Sequence, residues 1–185
     1  ACPWTVKITP AGMSEPIGGL EAEWTRTDAF DRPAERPDAI ADEGLKPMER
    51  LIGTWTIDAE WSDGSTLEAT NEYRVGVGGM FIEVDTFASD GGGEQYHRYH
   101  SVYDYDAETD GVVAYGFDFM GERATVAIEL TDNGLITRSE RGPMEIYQTI
   151  EFTDEDTMHW IVKARPAGSD GDWMPMMDGE WKRQS

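Results

Sequence analysis

After an N-terminal stretch with no sustained period, apolar and polar residues alternate along most of the chain. In TWTIDAEW, Trp55, Ile57, Ala59 and Trp61 fall on one face, with Thr56, Asp58 and Glu60 on the other. STLEATNEYRVG repeats the pattern, setting Leu67, Ala69, Asn71, Tyr73 and Val75 against Thr66, Glu68, Thr70, Glu72 and Arg74. Met80, Ile82 and Val84 continue it in GGMFIEVDTFAS. A period of two with one apolar face marks a half-buried antiparallel strand. QYHRYHSVYDYD, GVVAYGFDFMG, ERATVAIELTD, GLITRSER, PMEIYQTIEFTD, TMHWIVKARP and GDWMPMMDGEWKRQ follow in the same manner. Turn-forming groups separate many of these segments, among them Ser62-Asp63-Gly64, Thr109-Asp110-Gly111 and Asp132-Asn133-Gly134.

About ten short strands joined by tight turns predict an all-β, antiparallel up-and-down barrel, because closure removes exposed strand edges. Long crossovers of a Greek-key sandwich and the repeats of a propeller are both missing. Upstream, EGLKPMERLIG places Leu45, Met48, Leu51 and Ile52 on one helical face, with Pro47 in the first turn and Gly53 as a stop. One short helix is expected over about residues 44–52, closing an end of the barrel. Residues 1–43 read as an irregular acidic extension and 44–185 as the barrel domain.

Charge narrows the function. Thirty-seven acidic residues against 15 basic ones give a net charge of −22, which excludes nucleic-acid binding and disfavours anionic membranes. No apolar run reaches transmembrane length, so no membrane span is expected. Cys2 is the only cysteine, which rules out an intrachain disulfide and a cysteine-based zinc site. The Ala1-Cys2 junction fits both a cut lipoprotein signal and simple removal of an initiator methionine, so cytoplasmic and exported locations both stay open. Oligomeric state is not specified.

Leu51-Ile52-Gly53-Thr54-Trp55, a short helix running into G-x-W, resembles the start of lipocalin-type (calycin) barrels, in which the Trp closes one end. Gly78-Gly79-Met80-Phe81 and Tyr103-Asp104 resemble a bacterial family of lipocalin-like domains without assigned function. The similarity spans roughly residues 44–183. It implies a barrel whose cavity takes a small, largely apolar molecule. Nitrobindin-like haem barrels are structural cousins that place a haem-ligating His near the start of the last strand. Trp173-Met174-Pro175-Met176-Met177 holds no His there, so no cofactor is expected and haem is a minor alternative.

QYHRYHSVYDYD, residues 95–106, carries two of the three histidines. Strand parity puts His97, Tyr99, Ser101 and Tyr103 on one face and Tyr96, Arg98, His100, Val102 and Asp104 on the other. One of His97 and His100 therefore faces the cavity, and the pattern does not say which. The third, His159, sits on a strand whose Met158, Trp160 and Val162 read as inward, so no metal site is expected. A cavity His beside Tyr or Asp also suits a cofactor-independent isomerase or lyase of acid–base type. Asp118 is a candidate partner, although Tyr115, Phe117 and Phe119 read as the inward set of its strand. The candidate ligand-binding residues are Asn71, Tyr73, Tyr99, Tyr115, Gln148 and Trp160. Asn71 and Gln148 interrupt apolar rows, and such a group buried without a partner costs about 1–3 kcal/mol. No G-x-S-x-G, P-loop or HExxH motif is present. Whether the protein is an enzyme stays open.

Overall fold

The computed structural model describes residues 2–7, 19–24, 37–89 and 95–185. It divides into two compact units, Ala1–Glu35 and Arg36–Ser185. In the first, β1 (Cys2–Lys7) and β2 (Gly19–Trp24) pair antiparallel, from Cys2 opposite Trp24 to Lys7 opposite Gly19. The reading of residues 1–43 as irregular overlooks this pair, because two short strands leave no sustained alternation.

The second unit is a closed, all-antiparallel barrel. Its strands are β3 (Gly53–Glu60), β4 (Thr66–Val75), β5 (Ile82–Ser89), β6 (Gln95–Asp106) and β7 (Gly111–Asp118). They continue as β8 (Arg123–Thr131), β9 (Gly134–Arg141), β10 (Met144–Phe152), β11 (Thr157–Pro166) and β12 (Met174–Arg183). Each pairs with the next, and β12 returns to β3. This is the expected ten-strand up-and-down order.

Directly opposed residues of an antiparallel ladder share a face. The inner face can therefore be followed from strand to strand, starting at the fully buried Trp55. Trp55 lies opposite Asn71, Asn71 opposite Thr86, and Thr86 opposite Tyr99. Burial along this face is deepest at one end, where Trp55, Tyr73, Ile82, Val112, Met158 and Trp181 pack together.

That end is closed by the segment before β3. It forms a 3-10 helix, Lys46–Leu51, with Pro47 near its start and Met48 and Leu51 buried. Its six residues make two turns of the tighter 3-10 geometry. Leading into it, Ala41 N–H donates to the Gly79 carbonyl at 2.8 Å. Gly79 has φ +77°, and a Cβ there would stand 2.9 Å from the Ala39 carbonyl oxygen. Only glycine meets both demands, which explains the second glycine of Gly78-Gly79. Met80, which the alternation placed inside, precedes β5 and is exposed, because these turns end before the strand begins.

Closure itself rests on a short seam. β12 meets β3 at Lys182 opposite Thr56 and Arg183 opposite Trp55, with one further bridge between Trp61 and Met177. The Arg183 guanidinium lies 4.2 Å from the Trp55 ring centroid. Its Nη1 donates to the Ile52 carbonyl at 2.6 Å and its Nη2 to the Arg50 carbonyl at 2.7 Å. Nε also pairs with Asp156 at 3.1 Å. Trp55 Nε1 donates to the Leu51 carbonyl at 2.8 Å, so both side chains grip the end of the 3-10 helix.

Cation–π and charge-assisted bonds of this kind predict that Arg183→Ala lowers stability by about 2–4 kcal/mol. Arg183→Lys should recover less than half of the loss, because a lysine cannot stack and fork together. Urea denaturation followed by tryptophan fluorescence measures both.

Candidate functional site

The inner face changes character towards the other end. Deep in the barrel, Thr86 Oγ1 donates to Asn71 Oδ1 at 2.7 Å, and Asn71 Nδ2 reaches Tyr73 Oη at 3.5 Å. Tyr73 and Tyr103 face each other with ring centroids 6.3 Å apart. Burial, and then the neighbouring Tyr103, pushes the Tyr73 hydroxyl well above its ordinary value. Burial likewise raises Tyr103, against a hydrogen bond with Tyr73 that lowers it. Both are therefore neutral donors and acceptors at physiological pH. Across the barrel, Trp160 Nε1 donates to Gln148 Oε1 at 3.2 Å, which supplies the partner that a part-buried glutamine requires.

Nearer the mouth, Tyr99 and Ser101 are half-buried and His97 is exposed. All three belong to the inner face, opposite Thr86, Val84 and Ala88 respectively. The His97 ring stacks on Tyr99 at 5.7 Å and meets the edge of Phe119 at 6.0 Å. Asp118 lies opposite Tyr99, on the inner side. Its Oδ1 accepts from Met120 N–H at 2.9 Å and Glu122 N–H at 2.8 Å, so the carboxylate caps the β7–β8 turn.

β8 and β9 part towards this end. They pair from Thr131 opposite Gly134 to Ile128 opposite Thr137. Above that, β8 stays on β7 as far as Arg123 opposite Phe117, while β9 stays on β10. Ala124, inward by its pairing with Gly116, is exposed. The wall beside the mouth is thus split between β8 and β9.

Register settles the facing of the two histidines, which the sequence left open, and corrects the readings of Tyr115, Phe117 and Asp118. His100 lies opposite Asp85 and Phe117 on the outer face, so His97 is the inward histidine of the pair. Tyr115 also points outward, opposite Val102 and Thr125, and is 40% exposed. It lines no part of the interior, and Phe117 turns outward with it. The inward set of β7 is Val112, Ala114, Gly116 and Asp118, opposite the inward Tyr105, Tyr103, Ser101 and Tyr99 of β6. Asp118, read as outward, is consequently inward. His159 does face outward and bonds Asp178 at 2.6 Å. Arg183 escaped the sequence reading altogether; its only signal was an arginine at the end of the last alternating segment. Among the described residues, no group of three or more His, Cys, Asp and Glu side chains is arranged to hold a metal ion. Nor is any described helix long and apolar enough to cross a membrane.

His100 instead joins an outer network. Its Nδ1 lies 2.9 Å from Asp85 Oδ1. Arg74 forms an ion pair with Asp85 and reaches Glu72 at 3.3 Å.

No family model and no curated protein matches the chain. Solved structures do. Rv2717c from M. tuberculosis is 12% identical, with a TM-score of 0.56 over 78% of this chain and 99% of that one. The S-type phycobiliprotein lyase CPES from Guillardia theta is 9% identical, with a TM-score of 0.50 over 74% of this chain and 90% of that one. At these identities the likeness shows the fold alone.

Burial pushes the Asp85 carboxyl up, but hydrogen bonds from Arg74 and His100, with their charges, outweigh it and hold the group below its ordinary value. A depressed carboxyl stabilises the fold above the unfolded value of about 4 and loses that contribution as pH falls through the folded value. Asp85→Asn should therefore be less stable at neutral pH yet show a shallower loss of stability below about pH 4. Urea midpoints measured from pH 7 to pH 3 compare the two proteins.

Proposed function

We propose that the barrel binds a small, largely apolar molecule through the end remote from the 3-10 helix. One observation carries this reading: inward-facing positions lose burial towards that end. On β6 the inner row runs from Tyr103, packed against the core, to half-buried Tyr99 and exposed His97. An inward side chain that water reaches borders space that other side chains do not fill. Apolar and aromatic walls around such space, with a few fixed polar groups, suit a small-molecule site.

In this reading Tyr99 and Ser101 line the upper lumen, with Gln148 and Trp160 on the facing wall and Asn71 and Tyr73 at the floor. The neutral Tyr73, Asn71 and Gln148 orient a carbonyl or hydroxyl on the ligand, while the rest of its surface is driven in by loss of water. His97 stands beside the ligand at the rim, stacked on Tyr99, and is the histidine on which an acid–base role would rest. The calycin resemblance of Gly53-Thr54-Trp55 agrees with this use of the cavity.

Titration with a panel of apolar fluorophores tests the proposal. Ser101→Trp, which fills the upper lumen away from the sealed end, should weaken binding at least tenfold, while Tyr115→Ala on the outer face should leave it unchanged. Circular dichroism confirms that each variant is folded. Failure of every probe to bind, or equal binding by folded Ser101→Trp, contradicts the proposal.

A further inference from the structure

A second space lies at the opposite end of the barrel. A cavity of about 150 Å³ separates the 3-10 helix from the β8–β9 turn and β10. Its apolar lining comes from Met48 and Leu51 on the helix and Leu130, Leu135, Ile150 and Phe152 on the wall. The space opens to solvent where Arg50, Asp132 and Asn133 line it, and its apolar floor offers room for a benzene-sized guest.

Its rim is polar, with Arg50, Asp132 and Asn133 around it. Arg50 lays its guanidinium 4.0 Å from the Phe152 ring centroid. Nη1 donates to Asn133 Oδ1 at 3.1 Å and Nη2 to the Asp154 carbonyl at 3.4 Å, which straps the helix to the β8–β9 and β10–β11 turns. A guanidinium carries five N–H groups and accepts none, so three donors remain after these two bonds. A guest that satisfies them must bring a hydrogen-bond acceptor. Asp132 shares the rim, and the chain carries a net charge of −22, so both oppose an anionic acceptor. A neutral carbonyl meets the donors without that repulsion.

We propose that this cavity is a second binding site, distinct from the mouth, for a small aromatic or branched carbonyl compound. The ring occupies the space between Leu130, Leu135 and Ile150, and the carbonyl oxygen accepts from Arg50. The site stands independently of the mouth, because none of the mouth residues lines it.

Acetophenone, toluene and benzoate serve as probes, followed by NMR of the leucine, isoleucine and methionine methyl groups. Acetophenone should shift the methyls of Leu130, Leu135 and Ile150, and bind at least fivefold more tightly than toluene or benzoate. Arg50→Met should reduce acetophenone to the affinity of toluene, while toluene binding, unchanged, reports that the cavity is intact. Should Arg50→Met fail to fold, Arg50→Leu, which also lacks a donor, replaces it with the same expectation. Shifts confined to mouth residues, tighter binding of benzoate, or equal loss of acetophenone and toluene in the variant would each overturn the proposal.

Discussion

The stacking of Arg183 on Trp55 is the constraint on which the barrel depends. Ten strands must close, and the closing ladder between β12 and β3 is brief at this end, with two opposed pairs. Arg183 reinforces that ladder from inside by capping the indole and donating to the carbonyls of Arg50 and Ile52. One side chain thereby joins the last strand, the first strand and the 3-10 helix. Carbonyls left at a helix end need partners, and a guanidinium with several directed donors supplies them where a lysine would not.

Sealing one end changes what the other end must do. The large apolar side chains concentrate near Trp55, where Met48, Leu51, Met158 and Trp181 complete the packing. The mouth contributes less to that core, so its inner face can carry Tyr99, Ser101, Gln148 and Asp118, which a packed interior would exclude. Dense apolar packing and inward polar side chains are thus divided between opposite ends of one wall. β8 also parts from β9 above Ile128, on the mouth side. The outer network of Arg74, Asp85 and His100 adds charge pairing to the wall without entering the lumen.

Much of the barrel was legible in the sequence because each strand of β3, β4 and β10 has one clearly apolar face, and turn residues mark many of its ends. The helix position was legible for the same reason, although Pro47 and the short span made it 3-10. Facing was illegible on β6 and β7. Both faces of QYHRYHSVYDYD are amphipathic, so local pattern could not separate His97 from His100. On β7 the aromatic residues Tyr115 and Phe117 point outward, opposite Val102 and His100, which only register reveals. Arg183 was illegible for a related reason: its partners Arg50 and Ile52 lie 133 and 131 residues away in sequence, with Trp55 beside them. Asn71, Tyr73 and Gln148 were readable as inward polar residues, whereas Thr86 as the partner of Asn71 and Trp160 as the partner of Gln148 emerged from cross-strand pairing.

The central claim is that the Arg183 end holds the fold while the mouth is free of that duty. Native-state amide hydrogen exchange tests it most directly, because it resolves opening free energies residue by residue. Amides of Trp55, Tyr73 and Trp181 should exchange only through global unfolding, with the same denaturant dependence as the whole domain. Those of Tyr99, Gly116 and Thr137 should exchange through local openings at least tenfold more often. Uniform protection along the strands, or faster exchange at the Trp55 end than at the mouth, would contradict the account.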